Sequence, residues 1–271
     1  MKAFHVTKQQ NAHEIGELSL PFIVRKGVAD PEGYRRQAKG EAPRADFNPN
    51  AAGSLRTITL SDGKFTGFAG QPGALLTFVV AGDFTLTVGG SKPCQLEPGD
   101  IVLTDAASGS AAVLDVRNGG KLAQLGVPPE WPGPGAQPCP TTLHAHPRRA
   151  APKISRIYNA ADDKAYYTGF SKLFAAAPDL WSAPTPIEGF RILHWEKGMM
   201  DMHPCVVNQM AIVSGGELEI EAGGDGLIET FHAGDICLTE DRTGEGHANR
   251  VHQDAFVTIM VIATEHLWPR G

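Results

Sequence analysis

The stretch Phe231 to His247 reads FHAGDICLTEDRTGEGH, and an earlier stretch, Leu96 to Ala111, reads LEPGDIVLTDAASGSA. In both, a Gly-Asp pair is followed by a short apolar run that ends in threonine and an acidic residue. A glycine at this place is typical of a tight turn, and the apolar run is typical of a short buried strand. The chain is therefore predicted to build the same turn and strand twice.

The repeat also extends upstream of these two stretches. VVAGDFTLTVGG (Val79 to Gly90) matches VSGGELEIEAGG (Val213 to Gly224), so that both pairs of segments lie 134 to 135 residues apart. Apolar residues alternate within each copy, which is the period of a half-buried strand. A nearly constant offset over two segments indicates an internal duplication. Each copy is predicted to be a small antiparallel β unit.

Composition supports an all-β fold. The 271 residues include 31 glycines and 20 prolines, and long runs of helix-forming residues at helical spacing are scarce. That mixture favours short strands joined by turns, as in a sandwich or barrel. Residues 127–152 hold eight prolines without apolar periodicity and predict an extended connector. We therefore expect an irregular N-terminal arm of about fifty residues and a first barrel in 1–126, a linker in 127–152, and a second barrel in 153–271.

Charge and cysteine content exclude several classes of protein. A net charge of -6 gives no basic surface for nucleic acid or for an anionic membrane. No stretch approaches 18 uninterrupted apolar residues, and the start of the chain lacks the apolar core of a signal peptide. The four cysteines form no CxxC pair. We expect a cytoplasmic protein with reduced thiols, a small-molecule substrate, and no nucleic-acid or membrane partner.

The stretch MHPCVVNQM, Met202 to Met210, carries three side-chain types that can hold a metal. His203, Cys205 and Gln209 follow one another at steps of two and four residues. A second histidine, His247, ends the TGEGH segment. The alternative for Cys205 is a small apolar core residue, because buried cysteine commonly behaves in this way. The alternative for Gln209 is an amide that satisfies backbone groups inside a barrel.

Taken together, these residues resemble the two-part signature of the cupin superfamily. Gly198, His203, Gln209 and Gly216 match its first part, and Gly234-Asp235 with Gly244-Glu245-Gly246-His247 matches its second. The second copy is similar to small bacterial cupins of uncharacterised function. The resemblance implies a bicupin, which is two jelly-roll barrels in one polypeptide. It also implies one divalent metal held by three histidines and a glutamate.

On this resemblance His203 and His247 are metal ligands, Cys205 stands where the second histidine would be, and Gln209 stands where the glutamate would be. Imidazole suits Fe, Mn, Ni, Cu and Zn alike, so the metal is not identified. The first copy provides an internal comparison. At the same offsets Ala69, Leu75 and Ala112 replace the two histidines and the glutamine. The fold therefore does not require these polar side chains, which favours a function for His203, Gln209 and His247.

Four further residues are candidate substrate contacts in the second copy. Arg191 and Arg250 can each bind a carboxylate, Trp195 can form an apolar wall, and Glu240 can face a cavity. His144 and His146 have ligand spacing but lie in the proline-rich connector.

Three functions stay open from the sequence. The first is a metal-dependent enzyme of the dioxygenase type, acting on a small polar molecule in the second barrel. The second is an isomerase, cyclase or lyase that uses the histidines without a redox metal. The third is a non-catalytic metabolite-binding protein. A homodimer is a further expectation, because open sheet edges need to be covered.

Overall fold

A computed structural model describes residues 1–9, 12–27, 31–41, 53–67, 73–105, 111–139, 151–174 and 176–262. In the first half of the chain the elements are β1 (Ala3–Gln9), β2 (Ala12–Glu17), β3 (Phe22–Gly27), α1 (Pro31–Ala38), β4 (Ser54–Leu60), β5 (Gly63–Phe65), β6 (Ala74–Val88), β7 (Cys94–Leu96), β8 (Ile101–Thr104) and β9 (Ala112–Val127). No helix within the residues that the structure describes is long and apolar enough to cross a membrane.

The second half adds nine strands and one turn of 3-10 helix, Ser171–Phe174, within the described ranges. The strands are β10 (Ile154–Asn159), β11 (Ala165–Gly169), β12 (Thr185–His203), β13 (Gln209–Gly215), β14 (Leu218–Ala222), β15 (Ile228–Phe231), β16 (Ile236–Glu240), β17 (His247–Val251) and β18 (Ala255–Ile262). The all-β prediction is thus confirmed.

Strand pairing confirms the duplication. In the first half β1 pairs in parallel with β8, and β6 pairs with β8 and β9. In the second half β10 pairs in parallel with β16, and β13 pairs with β16 and β18. Leu75 lies opposite Thr104 in the first half, and Gln209 lies opposite Thr239 in the second. The residues aligned by sequence therefore occupy the same register, and each half folds as a jelly-roll barrel.

The apolar core has three layers. One cluster, which includes Phe84, fills the first barrel, and another, which includes Phe231, fills the second. The third cluster, with Phe190, lies between the barrels and draws on strands of both. Neighbouring residues of a strand point to opposite faces. Where alternate side chains of one strand belong to two different clusters, those in the Phe84 or Phe231 cluster point into a barrel, and those in the Phe190 cluster point between the barrels.

The Gly-Asp turns have the same structural role in both halves. Asp100 Oδ1 accepts a hydrogen bond from the backbone N–H of Lys2 at 2.6 Å, and Asp235 Oδ1 accepts one from that of Lys153 at 2.7 Å. The other oxygen of each aspartate accepts from the backbone N–H three residues earlier. Both carboxylates are buried. Each one fastens the incoming parallel strand to the turn.

The glycines of these turns lie against the opposite barrel. Gly99 and Gly234 have φ angles of 91° and 89°, a conformation that suits glycine. A side chain on Gly99 would collide with the carbonyl oxygen of Ser214, and one on Gly234 with that of Val80. The two turns therefore bring the barrels into close backbone contact.

The expected irregular N-terminal arm is wrong for residues 3–9, 12–17, 22–27 and 31–38, which form β1 to β3 and α1. β3 pairs in parallel with β12 of the second half, with Ile23 opposite Leu193, and α1 packs on β12. Likewise, the start of β12 pairs with β4 of the first half, with Thr185 opposite Leu55. Both pairings cross the predicted boundary at 127–152. The apolar pattern of β3 is short, and its partner is distant in sequence, so local periodicity did not reveal it.

The connector is consistent with its proline content in the part that the structure describes. Residues 128–139 contain no strand, and one isolated bridge joins Leu20 to Gln137. His144 and His146 lie outside the described residues.

Candidate functional site

The second barrel brings His203 and His247 together although they are distant in sequence. His203 ends β12 and His247 begins β17, and the two residues lie opposite each other in the antiparallel pairing. Their ring centroids are 4.6 Å apart, and each residue is 3% exposed. The two parts of the sequence signature therefore meet at one buried point.

Gly246 allows this close approach. Its φ is 77°, and a side chain at this position would collide with the carbonyl oxygen of His203. Because glycine has no Cβ, β17 can begin directly against the end of β12. The glycine that precedes His247 in the TGEGH segment thus serves to place the histidine pair.

Hydrogen bonds place a proton on Nδ1 of both rings. Nδ1 of His203 lies 2.7 Å from the carbonyl oxygen of Asp201, and Nδ1 of His247 lies 2.7 Å from Oδ2 of Asp241. A carbonyl or carboxylate oxygen only accepts, so Nδ1 carries the proton and donates it. Nε2 then holds the lone pair of each ring. This is the arrangement that orients histidines that bind metals.

Burial keeps His203 neutral. Desolvation lowers the pKa of His203 well below its usual range, and the neighbouring His247 lowers it further. Arg25 and Arg35 act in the same direction. A neutral imidazole is the form that binds a metal or accepts a proton.

Asp241 is a site residue that the sequence interpretation missed. It is fully buried, its Oδ2 accepts from His247, and its backbone oxygen accepts from the N–H of Cys205 at 2.9 Å. Its Oδ1 has no hydrogen-bond partner among the described residues. From the sequence, Glu240 is the residue of this stretch predicted to face the cavity, whereas the structure places Asp241 against His247. The signal available in the sequence was that adjacent carboxylates on a strand face opposite sides.

Gln209 also enters the barrel interior. It begins β13 opposite Thr239, and its Nε2 donates to Sγ of Cys205 at 3.3 Å. Its Oε1 is buried without a donor among the described side chains and backbone groups. A buried amide oxygen left without a donor costs about 1–3 kcal/mol, which favours a ligand that completes it.

Cys205 is 1% exposed. Burial raises the pKa of its thiol well above the usual range, and the carboxylate of Asp241 raises it further. The thiol is therefore protonated in the metal-free protein. This agrees with the alternative of an apolar core residue.

Two overlapping ligand sets are available, and they share His247. The ligand atoms of Cys205, Asp241 and His247 lie within 4.8 Å of one another. The other set, predicted from the sequence, is Nε2 of His203, Nε2 of His247 and Oε1 of Gln209. Of these residues the two histidines are adjacent, with ring centroids 4.6 Å apart. Oδ1 of Asp241 and Oε1 of Gln209 are buried oxygens that lack partners in the described part of the chain. The donors present here therefore fit a divalent metal.

Arg191 and Trp195 point into the second barrel. Trp195 and Leu193 belong to its interior cluster, and Arg191 lies on the same face of β12 by alternation. Both are buried, and Nε1 of Trp195 donates to no described residue. The structure thus places these two candidates on the side of the histidine pair.

Glu240 and Arg250 lie on the outer face instead. The side chains of β16 alternate between two faces. Cys237 points into the barrel, whereas Ile236 and Leu238 point to the cluster between the barrels. Glu240 lies on the same face as Leu238. Nε of Arg156 donates to Glu240 at 2.5 Å. Arg250 pairs with Glu221. Their prediction as contacts inside the barrel is corrected, because strand phase could not be assigned at the ends of these short strands.

The first half of the chain supplies two cations near the histidine pair. Arg35 of α1 donates from Nη2 to the carbonyl oxygen of Met202 at 3.0 Å, next to His203. The guanidinium of Arg25 on β3 lies 5.4 Å from the ring centroid of Trp195. Arg35 also pairs with Glu32 at 3.5 Å. Two cations therefore lie near this end of the second barrel.

Comparisons with known proteins concern the fold. No protein-family model and no curated protein matches the chain. Solved structures do match. A cupin 2 conserved barrel domain protein from Leptotrichia buccalis is 12% identical over 79% of this chain and 85% of its own, with a TM-score of 0.34. A protein of unknown function from Pseudomonas syringae is 12% identical over 78% and 83%, with a TM-score of 0.34.

Oxalate decarboxylase from Bacillus subtilis, described with Mn(II) centres, is 13% identical over 78% of this chain and 69% of its own, with a TM-score of 0.28. These values are too low to transfer an activity. The two-barrel jelly-roll fold rests on the strand pairing of this chain itself.

Proposed function

We propose that the second barrel binds one divalent metal and transforms a small polar organic molecule as an oxidoreductase of the dioxygenase type. One observation carries the proposal: two buried imidazoles, both with Nδ1 bound to an oxygen acceptor, stand beside two buried oxygens that lack partners in the described chain. His203 and His247 would hold the metal through Nε2, and Gln209 would hold it through Oε1.

The residues of the chain have separate tasks in this proposal. Asp241 keeps the proton on Nδ1 of His247 and thereby fixes the direction of Nε2. Trp195 and Met200, both buried, exclude water from the interior. Arg25 and Arg35 favour an anionic substrate at the entrance. A bound metal would supply Lewis acidity, and a redox-active one would also supply electron transfer.

Metal loading tests the proposal directly. The metal-free protein is incubated with Fe, Mn, Ni, Cu or Zn, and bound metal per chain is measured by elemental analysis after desalting. One metal per chain is expected for the wild type, and none for His203→Ala. If no metal is retained at stoichiometric level by the wild type, the metal-dependent function is abandoned.

Cobalt spectroscopy separates the two ligand sets. If His203, His247 and Gln209 bind the ion, Cys205→Ser leaves the affinity and spectrum of the cobalt protein unchanged. If Cys205, Asp241 and His247 bind it, the wild type shows a thiolate-to-cobalt charge-transfer band that Cys205→Ser removes. His203→Ala would then retain metal.

The Asp241–His247 pair supports a second candidate function, acid–base catalysis without a redox metal. A buried carboxylate bound to Nδ1 stabilises a protonated imidazole, so Nε2 of His247 could accept a proton from a substrate. Turnover that survives a chelator and falls in Asp241→Asn would favour this isomerase, cyclase or lyase reading. Ligand binding without any turnover would favour a non-catalytic metabolite-binding protein.

A further inference from the structure

Asn249 is a buried polar residue inside the second barrel to which neither the sequence motif nor the proposed metal site gives a role. It lies on β17 two residues after His247, on the same face, and it is 6% exposed. Its opposite neighbours on the adjacent strands are Met200 and Ile220, each 2% exposed and each part of the interior cluster. The amide is therefore surrounded by apolar side chains.

No hydrogen bond joins this amide to another described group, and it is not among the fully buried polar atoms that lack a partner, so it is not sealed from solvent. An amide can donate twice and accept twice, so it can bind a polar ligand at this position. The fold does not demand it, because the equivalent residue of the first barrel is Leu114, which is 0% exposed and lies opposite Leu86. Asn249 thus belongs with the polar residues that only the second barrel has.

The position of Asn249 limits the size of a ligand that reaches both it and the histidine pair. Two residues along a strand span about 6.8 Å. Side chains on one face of a strand run side by side, so a ligand that contacts both His247 and the amide needs to span only about this distance. The spacing therefore favours a small molecule with two oxygen groups.

We propose that Asn249 is a substrate-binding residue and that the substrate is a small hydroxy- or keto-carboxylate, with one oxygen group at the histidine pair and the other at the amide of Asn249. The carboxylate follows from the cations at this end of the barrel, where Arg35 contacts the strand next to His203 and Arg25 lies over Trp195. The inference rests on the second barrel being the binding site, as in the proposed function, but not on the metal.

Calorimetry and thermal shifts with defined probes test this inference. Glycolate, lactate and pyruvate are compared with acetate and propanol, which carry one oxygen group each, on the metal-free and the zinc-loaded full-length protein. The wild type is expected to bind at least one of the three bifunctional acids about tenfold more tightly than acetate. Asn249→Leu, which introduces the residue of the first barrel, is expected to lose that tenfold preference while its melting temperature without ligand stays the same or rises.

The controls keep the outcome unambiguous. Asn249→Ser serves if the leucine variant does not fold, and Arg156→Gln, on the outer face, should leave binding unchanged. Unaltered preference in both Asn249 variants, or a wild type that binds none of the bifunctional acids, overturns the inference. Metal content is measured in parallel. A wild type without metal that still shows Asn249-dependent binding would refute the metal proposal and support this one.

Discussion

The two barrels share their structural residues and differ in their interior polar residues. Asp100 and Asp235 accept the same pair of backbone hydrogen bonds at the same turn. By contrast, Leu75 stands where the second barrel has Gln209, and Ala112 stands where it has His247. Ala69, aligned with His203, lies outside the described residues. The shared set is what the fold needs, so the unshared set points to function.

An arginine common to both barrels sharpens this difference. Arg56, equivalent to Arg191, donates from Nε and Nη2 to Oε1 of Gln124, whose amide donates to Oγ1 of Thr77 at 2.8 Å. In the second barrel the aligned residues are Ile259 and Ala211. The first barrel therefore pairs its buried arginine with side chains of its own, and the second has no such amide and hydroxyl at those positions.

Replacing the interior polar residues of the second barrel by those of the first should produce the largest change in bound metal. In the quadruple variant Gln209→Leu, Asp241→Ala, His247→Ala, Asn249→Leu, bound metal is expected to fall from one per chain to none. Asp241 is changed with His247, because its buried carboxylate would otherwise lose its donor. The metal-free protein should then be about as stable as the wild type, because the buried polar groups are removed together. Elemental analysis and urea unfolding in a chelator measure the two effects. Strong destabilisation would show that these side chains serve the fold.

The shared aspartates should behave alike. Asp100→Ala and Asp235→Ala each leave two buried backbone N–H groups without acceptors, and each is expected to lower the unfolding free energy by about 2–5 kcal/mol. Denaturant unfolding measures the loss, with the exposed Asp162→Ala as the control. A large effect in one barrel and none in the other would contradict the equivalence of the two turns.

Asp241→Asn is expected to have an intermediate effect. The amide can present its nitrogen to Nδ1 of His247, which would favour the opposite tautomer, and outer partners of this kind change metal affinity about 10- to 100-fold. Competition with a chelating dye measures the affinity. The matched variant Glu240→Gln, on the outer face, should leave it unchanged, and equal effects in both variants would argue against an orienting role.

The smallest effect concerns pH. The lowered pKa of His203 means that the unfolded chain binds a proton more readily than the folded one. This contribution to stability is complete above the unfolded value near 6.5 and is lost as pH falls below it. Unfolding of the metal-free protein between pH 7.5 and 5 should show this loss, and His203→Gln should reduce it. If the stability of the variant depends on pH in the same way as that of the wild type, a group other than His203 takes up the proton.

The sequence predicted the repeat, the barrels and the placing of His203, Gln209 and His247, because alternation and a fixed offset are local signals. It did not predict β3, whose partner strand is far along the chain. It also missed Asp241 and Asn249. Their side-chain directions depend on where β16 ends and β17 begins, and a shift of one residue reverses the face. Glu240 and Arg250 were misplaced for the same reason.

The exchange of strands between the halves has a consequence for synthesis. β3 leaves the ribosome about 170 residues before the part of β12 that it pairs with, which at ordinary rates is a delay of about 10–30 s. During that time the backbone N–H and C=O groups of β3 have no β12 to pair with. An unpaired strand edge is a template for association with other chains. This edge is covered only after the chain has been translated through β12.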